Sequence, residues 1–119
     1  MKNFEERHKI KFLRIFDKEL NSLKKPVILE FGVSKKALST SIFLKICEDN
    51  NGFLYSVDII DYSYHFKSEN WRFIHSKDDN YDFIDKQIPL KFDIIYLDTL
   101  HTAKHVEKIL YHYFDRLNV

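Results

Sequence analysis

Val27-Ile28-Leu29-Glu30-Phe31-Gly32-Val33-Ser34-Lys35-Lys36 is the stretch on which the fold of this chain turns. Val27 to Phe31 is a continuous apolar run interrupted only by Glu30, too short for a helix and not alternating, which is the pattern of a strand buried on both faces. Pro26 stands before it, and a residue preceding proline is pushed out of the helical region, so any helix upstream must end there. Gly32 closes the run at a point where backbone freedom or close approach of another group is needed.

Upstream, Phe4, His8, Phe12, Phe16 and Leu20 recur every fourth residue, with Ile10, Leu13, Ile15 and Leu23 widening the stripe. The spacing predicts an amphipathic helix over residues 1–24. Downstream, Leu38, Ile42, Phe43, Ile46 and Cys47 keep helical spacing as far as the turn cluster Asp49-Asn50-Asn51-Gly52. Phe53 to Asp58 reads as a second strand, and Trp71 to His75 as a third after a tyrosine-rich connection. Tyr81, Ile84 and Ile88 indicate a short helix between Asp79 and Pro89. Phe92 to Leu97 is the most apolar strand, and Val106, Ile109, Leu110, Tyr113, Phe114 and Leu117 form the stripe of a last helix spanning Thr102 to Leu117. Strands alternating with helices specify a parallel sheet with right-handed crossovers, an α/β fold.

The 119 residues, 45% of them hydrophobic, suffice for one packed core and predict a single domain over residues 1–119. Nineteen Lys and Arg against eighteen Asp and Glu leave a formal charge of +1, so no global field favours nucleic acid or an anionic membrane. No apolar run approaches the roughly 20 residues of a membrane span. A lone cysteine, Cys47, and an N-terminus without the apolar segment of a secretory signal are the pattern expected of a cytoplasmic protein.

In open parallel sheets, ligands bind beyond the carboxyl ends of the strands, near the point where strand order reverses. Here those ends carry Glu30-Phe31-Gly32-Val33-Ser34-Lys35-Lys36, Val57-Asp58-Ile59, Ser76-Lys77-Asp78-Asp79 and Leu97-Asp98-Thr99-Leu100-His101. With Glu-x-Gly after the first strand and Asp-x-x-His after the fourth, in this order and spacing, the chain from about Pro26 onward resembles class I S-adenosylmethionine-dependent methyltransferases. The resemblance implies a truncated Rossmann-like three-layer sandwich whose four strands lie in the order 3-2-1-4.

It also implies a site. Gly32 would let the backbone approach the methionine portion of S-adenosylmethionine, with Ser34 in the same loop, while Glu30 steadies the loop and faces the ligand's ammonium group. Asp58 would accept from both ribose hydroxyls, Ile59 would pack beside the adenine, and Asp79 would lie near the exocyclic amine. Asp79 equally suits a helix N-cap. Asp98, also a cofactor contact, and His101 fall close to the methyl-transfer centre, either of them a candidate general base. His105 follows one turn after His101, and two histidines with a carboxylate can hold a metal. None is expected here, because the further ligands of metal-dependent members follow a fifth strand.

Two departures from the family pattern stand out. Ser34, Lys35, Lys36 and Ala37 occupy a loop in which the family places further glycines, so Lys35 and Lys36 are expected to limit cofactor affinity. Strands five to seven, which commonly shape the acceptor pocket, have no counterpart among these residues. The expected function is methyl transfer from S-adenosylmethionine, leaving S-adenosylhomocysteine, to a small-molecule acceptor. The alternative is a non-catalytic module binding a nucleotide-like ligand or another protein. An NAD-dependent oxidoreductase is the weaker third reading, since Gly32 alone represents the Gly-x-Gly-x-x-Gly series. A bare outer edge on the fourth strand, apolar and without guarding proline or lysine, predicts a homodimer or higher homo-oligomer.

Overall fold

The structure is a computed structural model that describes residues 22–98 and 103–117. Four strands, β1 (Val27–Phe31), β2 (Phe53–Asp58), β3 (Trp71–His75) and β4 (Ile94–Leu97), pair in parallel in the order β3-β2-β1-β4. The order 3-2-1-4 is the one the sequence implied, and β1, β2 and β3 fall on the residues read as strands. Most of the amphipathic stripe over residues 1–24 lies outside the described residues.

β4 begins at Ile94 rather than Phe92, and the hydrogen bonds give the reason. The Phe92 N–H turns outward to the Arg116 carbonyl at 2.7 Å, and Phe92 forms an isolated parallel bridge with Leu117. Asp93 then brings the chain onto β1: its N–H donates to the Val27 carbonyl, while its carboxylate accepts from the Val27 N–H, both at 2.8 Å.

Helices α1 (Leu38–Asp49), α2 (Tyr81–Asp85) and α3 (Ala103–Tyr113) cover the sheet, and a 3-10 turn over Phe114–Arg116 follows α3. Alternation along β1 divides the core between the two faces. Ile28 packs with Leu54 of β2 and with Phe43, Leu44, Ile46 and Cys47 of α1. Leu29 and Phe31 point the other way, into a cluster with Val57, Ile74, Ile84 of α2, Phe92, and Ile109 and Tyr113 of α3. The result is three layers, with α1 on one face and α2 and α3 on the other. Among the described residues, no helix is long and apolar enough to cross a membrane.

Burial sets the titration of three core groups. It pushes the Cys47 thiol up to about 12, assisted by the neighbouring Glu48 charge. Burial, with the Asp98 and Glu30 charges, raises the Tyr96 hydroxyl to about 12, and burial beside Asp85 raises Tyr113 too. All three stay protonated in the folded chain at pH values where the unfolded chain ionises. Their contribution is therefore full below the ordinary thiol value of 9.0 and is lost as pH climbs towards about 12. Urea midpoints are expected to fall steadily across that window while native Cys47 resists alkylation; a flat profile would contradict the assignment.

Candidate functional site

The carboxyl ends of the strands are stitched together by the backbone. Gly32 N–H donates to Val57 O at 2.8 Å, Ser76 N–H to Asp58 O at 3.0 Å and Asp98 N–H to Phe31 O at 2.8 Å. These bonds hold the β1–α1 loop, the segment after β2, the β3–α2 loop and the end of β4 along one rim. Beside β2 and β3 that rim folds into a cleft of about 270 Å³, lined by Val57, Asp58, Ile59, Ser76, Lys77, Asp78, Asp79 and His105.

Asp58, Ile59 and Asp79, assigned to the cofactor from sequence, thus share one cleft. Ile59 is 62% exposed there and presents an apolar side chain beside the Asp58 carboxylate. Its carbonyl accepts from His75 Nε2 at 2.8 Å, which fixes the cleft wall to β3. Asp58 has a second task. One carboxylate oxygen accepts from the N–H groups of Val33 (2.8 Å) and Ser34 (3.4 Å), and the other from Ile60 N–H at 3.0 Å. A carboxylate offers about four acceptor positions, so these bonds leave capacity for a further donor.

Glu30 does not line the cleft. It is fully buried on the α1 face of the sheet, where Ser39 Oγ and Thr40 Oγ1 each donate to it at 2.6 Å and Ser56 Oγ at 2.8 Å. Ser39 and Thr40 belong to the first turn of α1, whose positive dipole end favours an acidic group. Since α1 has no side-chain N-cap, Glu30 serves as the anchor between that turn and the sheet. Asp98 stands exposed at the end of β4, outside the cleft lining, and His101 lies outside the described residues.

The β1–α1 loop carries left-handed backbone at Gly32, where the sequence places conformational freedom, and at two residues that keep side chains. Gly32 (φ 100°), Ser34 (φ 70°) and Ala37 (φ 49°) all adopt left-handed backbone, whereas Lys35 and Lys36 do not. Glycine's freedom is therefore needed at Ser34 and Ala37, and the two lysines are not where the backbone departs from the ordinary regions. Asp78 was the residue missed, and His105, weighed in the sequence beside His101, here takes Asp78 as its partner. Asp78 Oδ1 lies 2.9 Å from His105 Nε2, joining the β3–α2 loop to α3 across the cleft. The adjacency of Asp78 to Asp79 was visible in the sequence, but the approach of a histidine 27 residues away was not.

Fold and cleft together define an α/β protein with a parallel 3-2-1-4 sheet and a concave site at the carboxyl ends of its strands. No protein-family model matches the chain, and a search of curated proteins finds no match.

Proposed function

We propose that the protein binds S-adenosylmethionine in this cleft and transfers its methyl group to a small-molecule acceptor. The observation carrying the proposal is the convergence of Asp58, Ile59 and Asp79 on one cleft at the ends of β2 and β3. An acidic residue to accept from a ribose diol, an exposed apolar side chain beside it and a second carboxylate beyond are the groups a nucleoside needs. Asp98, past the β1–β4 junction where strand order reverses, and His101 supply candidate general bases. The methyl transfer itself depends chiefly on alignment of acceptor and sulfonium.

Calorimetry with S-adenosylhomocysteine tests the binding. Asp58→Ala is expected to weaken it by about 1.5 to 3 kcal/mol, roughly ten- to more than a hundredfold, through loss of a charge-assisted contact. No heat from the unmutated chain at millimolar ligand would end the proposal. Ser34 and Ala37, which keep side chains on left-handed backbone in the approach loop, favour a second reading of binding without turnover. Conversion of S-adenosylmethionine to its demethylated product with candidate acceptors separates the two.

The working form is proposed to be a homodimer. Support comes from α3 and the turn after it, where Leu110 (41%), Tyr111 (87%) and Phe114 (69%) are exposed. Ile95 packs towards the α2–α3 core, so it is a poor surface probe. Light scattering after size exclusion should give a dimer that dissociates in the double variant Tyr111→Glu, Phe114→Glu. A monodisperse monomer at high micromolar concentration would rule the dimer out.

A further inference from the structure

We propose that the cleft also holds a first-row divalent metal cation, Mn²⁺, Co²⁺ or Zn²⁺, through Asp78, Asp79 and His105. The ligand atoms of these three side chains lie within 4.8 Å of one another. They come from opposite walls, the aspartates from the β3–α2 loop and the histidine from α3, so their meeting is a product of the fold rather than of sequence adjacency. Two ligands at about 2.1 Å from an ion stand about 3.0 Å apart at a right angle and about 3.4 Å apart at the tetrahedral angle. His105 Nε2 and Asp78 Oδ1, 2.9 Å apart in a hydrogen bond, need part by only a few tenths of an ångström for an ion to replace the shared proton.

The donor set selects the ion. One imidazole with two carboxylates favours transition ions and zinc over Mg²⁺ and Ca²⁺, which take oxygen ligands throughout. Asp78 and His105 are already largely withdrawn from water, with side chains 12% and 25% exposed, which lowers the desolvation left for a cation to induce. Asp79 is exposed and can swing onto the third position. Asp58 adds a third carboxylate to the same cleft, against which stand His105 and Lys77, and this excess of negative charge attracts a cation. The concave space in front of the three ligands leaves room for water or a ligand oxygen to complete the coordination. The site does not depend on the methyltransferase reading, because all three ligands belong to the chain.

Calorimetric titration of the chelator-stripped full chain with Mn²⁺, and separately with Zn²⁺, tests the site without any nucleoside present. One ion per chain is expected, with Mg²⁺ and Ca²⁺ weaker. His105→Asn and Asp79→Asn should each weaken Mn²⁺ binding on the order of tenfold or more. Circular dichroism of both variants establishes that they fold, and exposed Asp79 gives the variant least coupled to the core. Absence of binding at millimolar Mn²⁺ and Zn²⁺, or binding that survives either substitution in a folded variant, overturns the proposal. Nucleoside binding measured on the same metal-free chain reports on the earlier reading separately.

Discussion

Replacing Glu30 with alanine is expected to lower unfolding stability by about 4 kcal/mol. Three hydroxyls, those of Ser39, Thr40 and Ser56, converge on this carboxylate, and all three residues are fully buried. The network continues one step further, since Trp71 Nε1–H donates to Ser56 Oγ at 2.9 Å. A buried polar group left without its partner costs about 1–3 kcal/mol. Rotation of the hydroxyls towards other acceptors can recover part of this, which keeps the total below the sum. The void left by the lost side chain adds to it. Glu30→Gln keeps the shape and should cost about half as much, since the 2.6 Å bonds have the length of charge-assisted ones. Urea unfolding with unchanged slope measures both; a loss under about 1 kcal/mol for alanine would mean the hydroxyls are satisfied elsewhere.

Gly52→Ala is expected to cost about 3 kcal/mol, for a reason unrelated to hydrogen bonding. A Cβ at this position would lie 2.2 Å from the Pro26 carbonyl oxygen and 2.7 Å from the Pro26 ring carbons Cγ and Cδ. That oxygen cannot step aside freely, because it accepts the Phe53 N–H at 2.8 Å at the start of the β1–β2 pairing. Gly52 is itself held from the other side, its N–H donating to Cys47 O at 2.7 Å at the end of α1. Relief of the overlap must therefore move either the end of α1 or the first rungs of the sheet. Thermal unfolding of the variant is the direct check, and a midpoint equal to that of the parent would show that the turn yields without cost.

The strands were legible because parallel strands buried on both faces read as unbroken apolar runs, and Pro26, Gly32 and Gly52 punctuate them. The start of β4 was not, because Phe92 is as apolar as the strand it precedes, and what removes it from the ladder is a carbonyl at Arg116. The cleft was legible in part. Asp58, Ile59 and Asp79 stand at strand ends, where topology alone brings them together. The partners of Glu30 were not legible: a carboxylate near a strand end suggests a ligand, and nothing local reveals that Ser39, Thr40 and Ser56 surround it. Left-handed backbone at Ser34 and Ala37 is invisible in residue types that rarely adopt it. The pairing of His105 with Asp78 depends on how α3 lies across the sheet, which helical periodicity does not specify.

The junction between β1 and β4 also bears on the order in which the molecule assembles. Glu30 meets Ser56 of β2 across 26 residues of chain, whereas Val27 meets Asp93 at the entrance to β4 across 66. Closing the longer loop costs about 0.8 kcal/mol more in chain entropy. Every residue of β4 is half-buried, while β1 is buried from Ile28 onward, as befits an edge strand beside a central one. On loop length, the β1–β2 pairing is expected to form ahead of the β1–β4 seam. Asp98 follows β4, whereas Asp58, Ile59 and Asp79 stand at the ends of β2 and β3. An opening at this seam would change the spacing between Asp98 and the cleft while leaving the β2–β3 ladder intact.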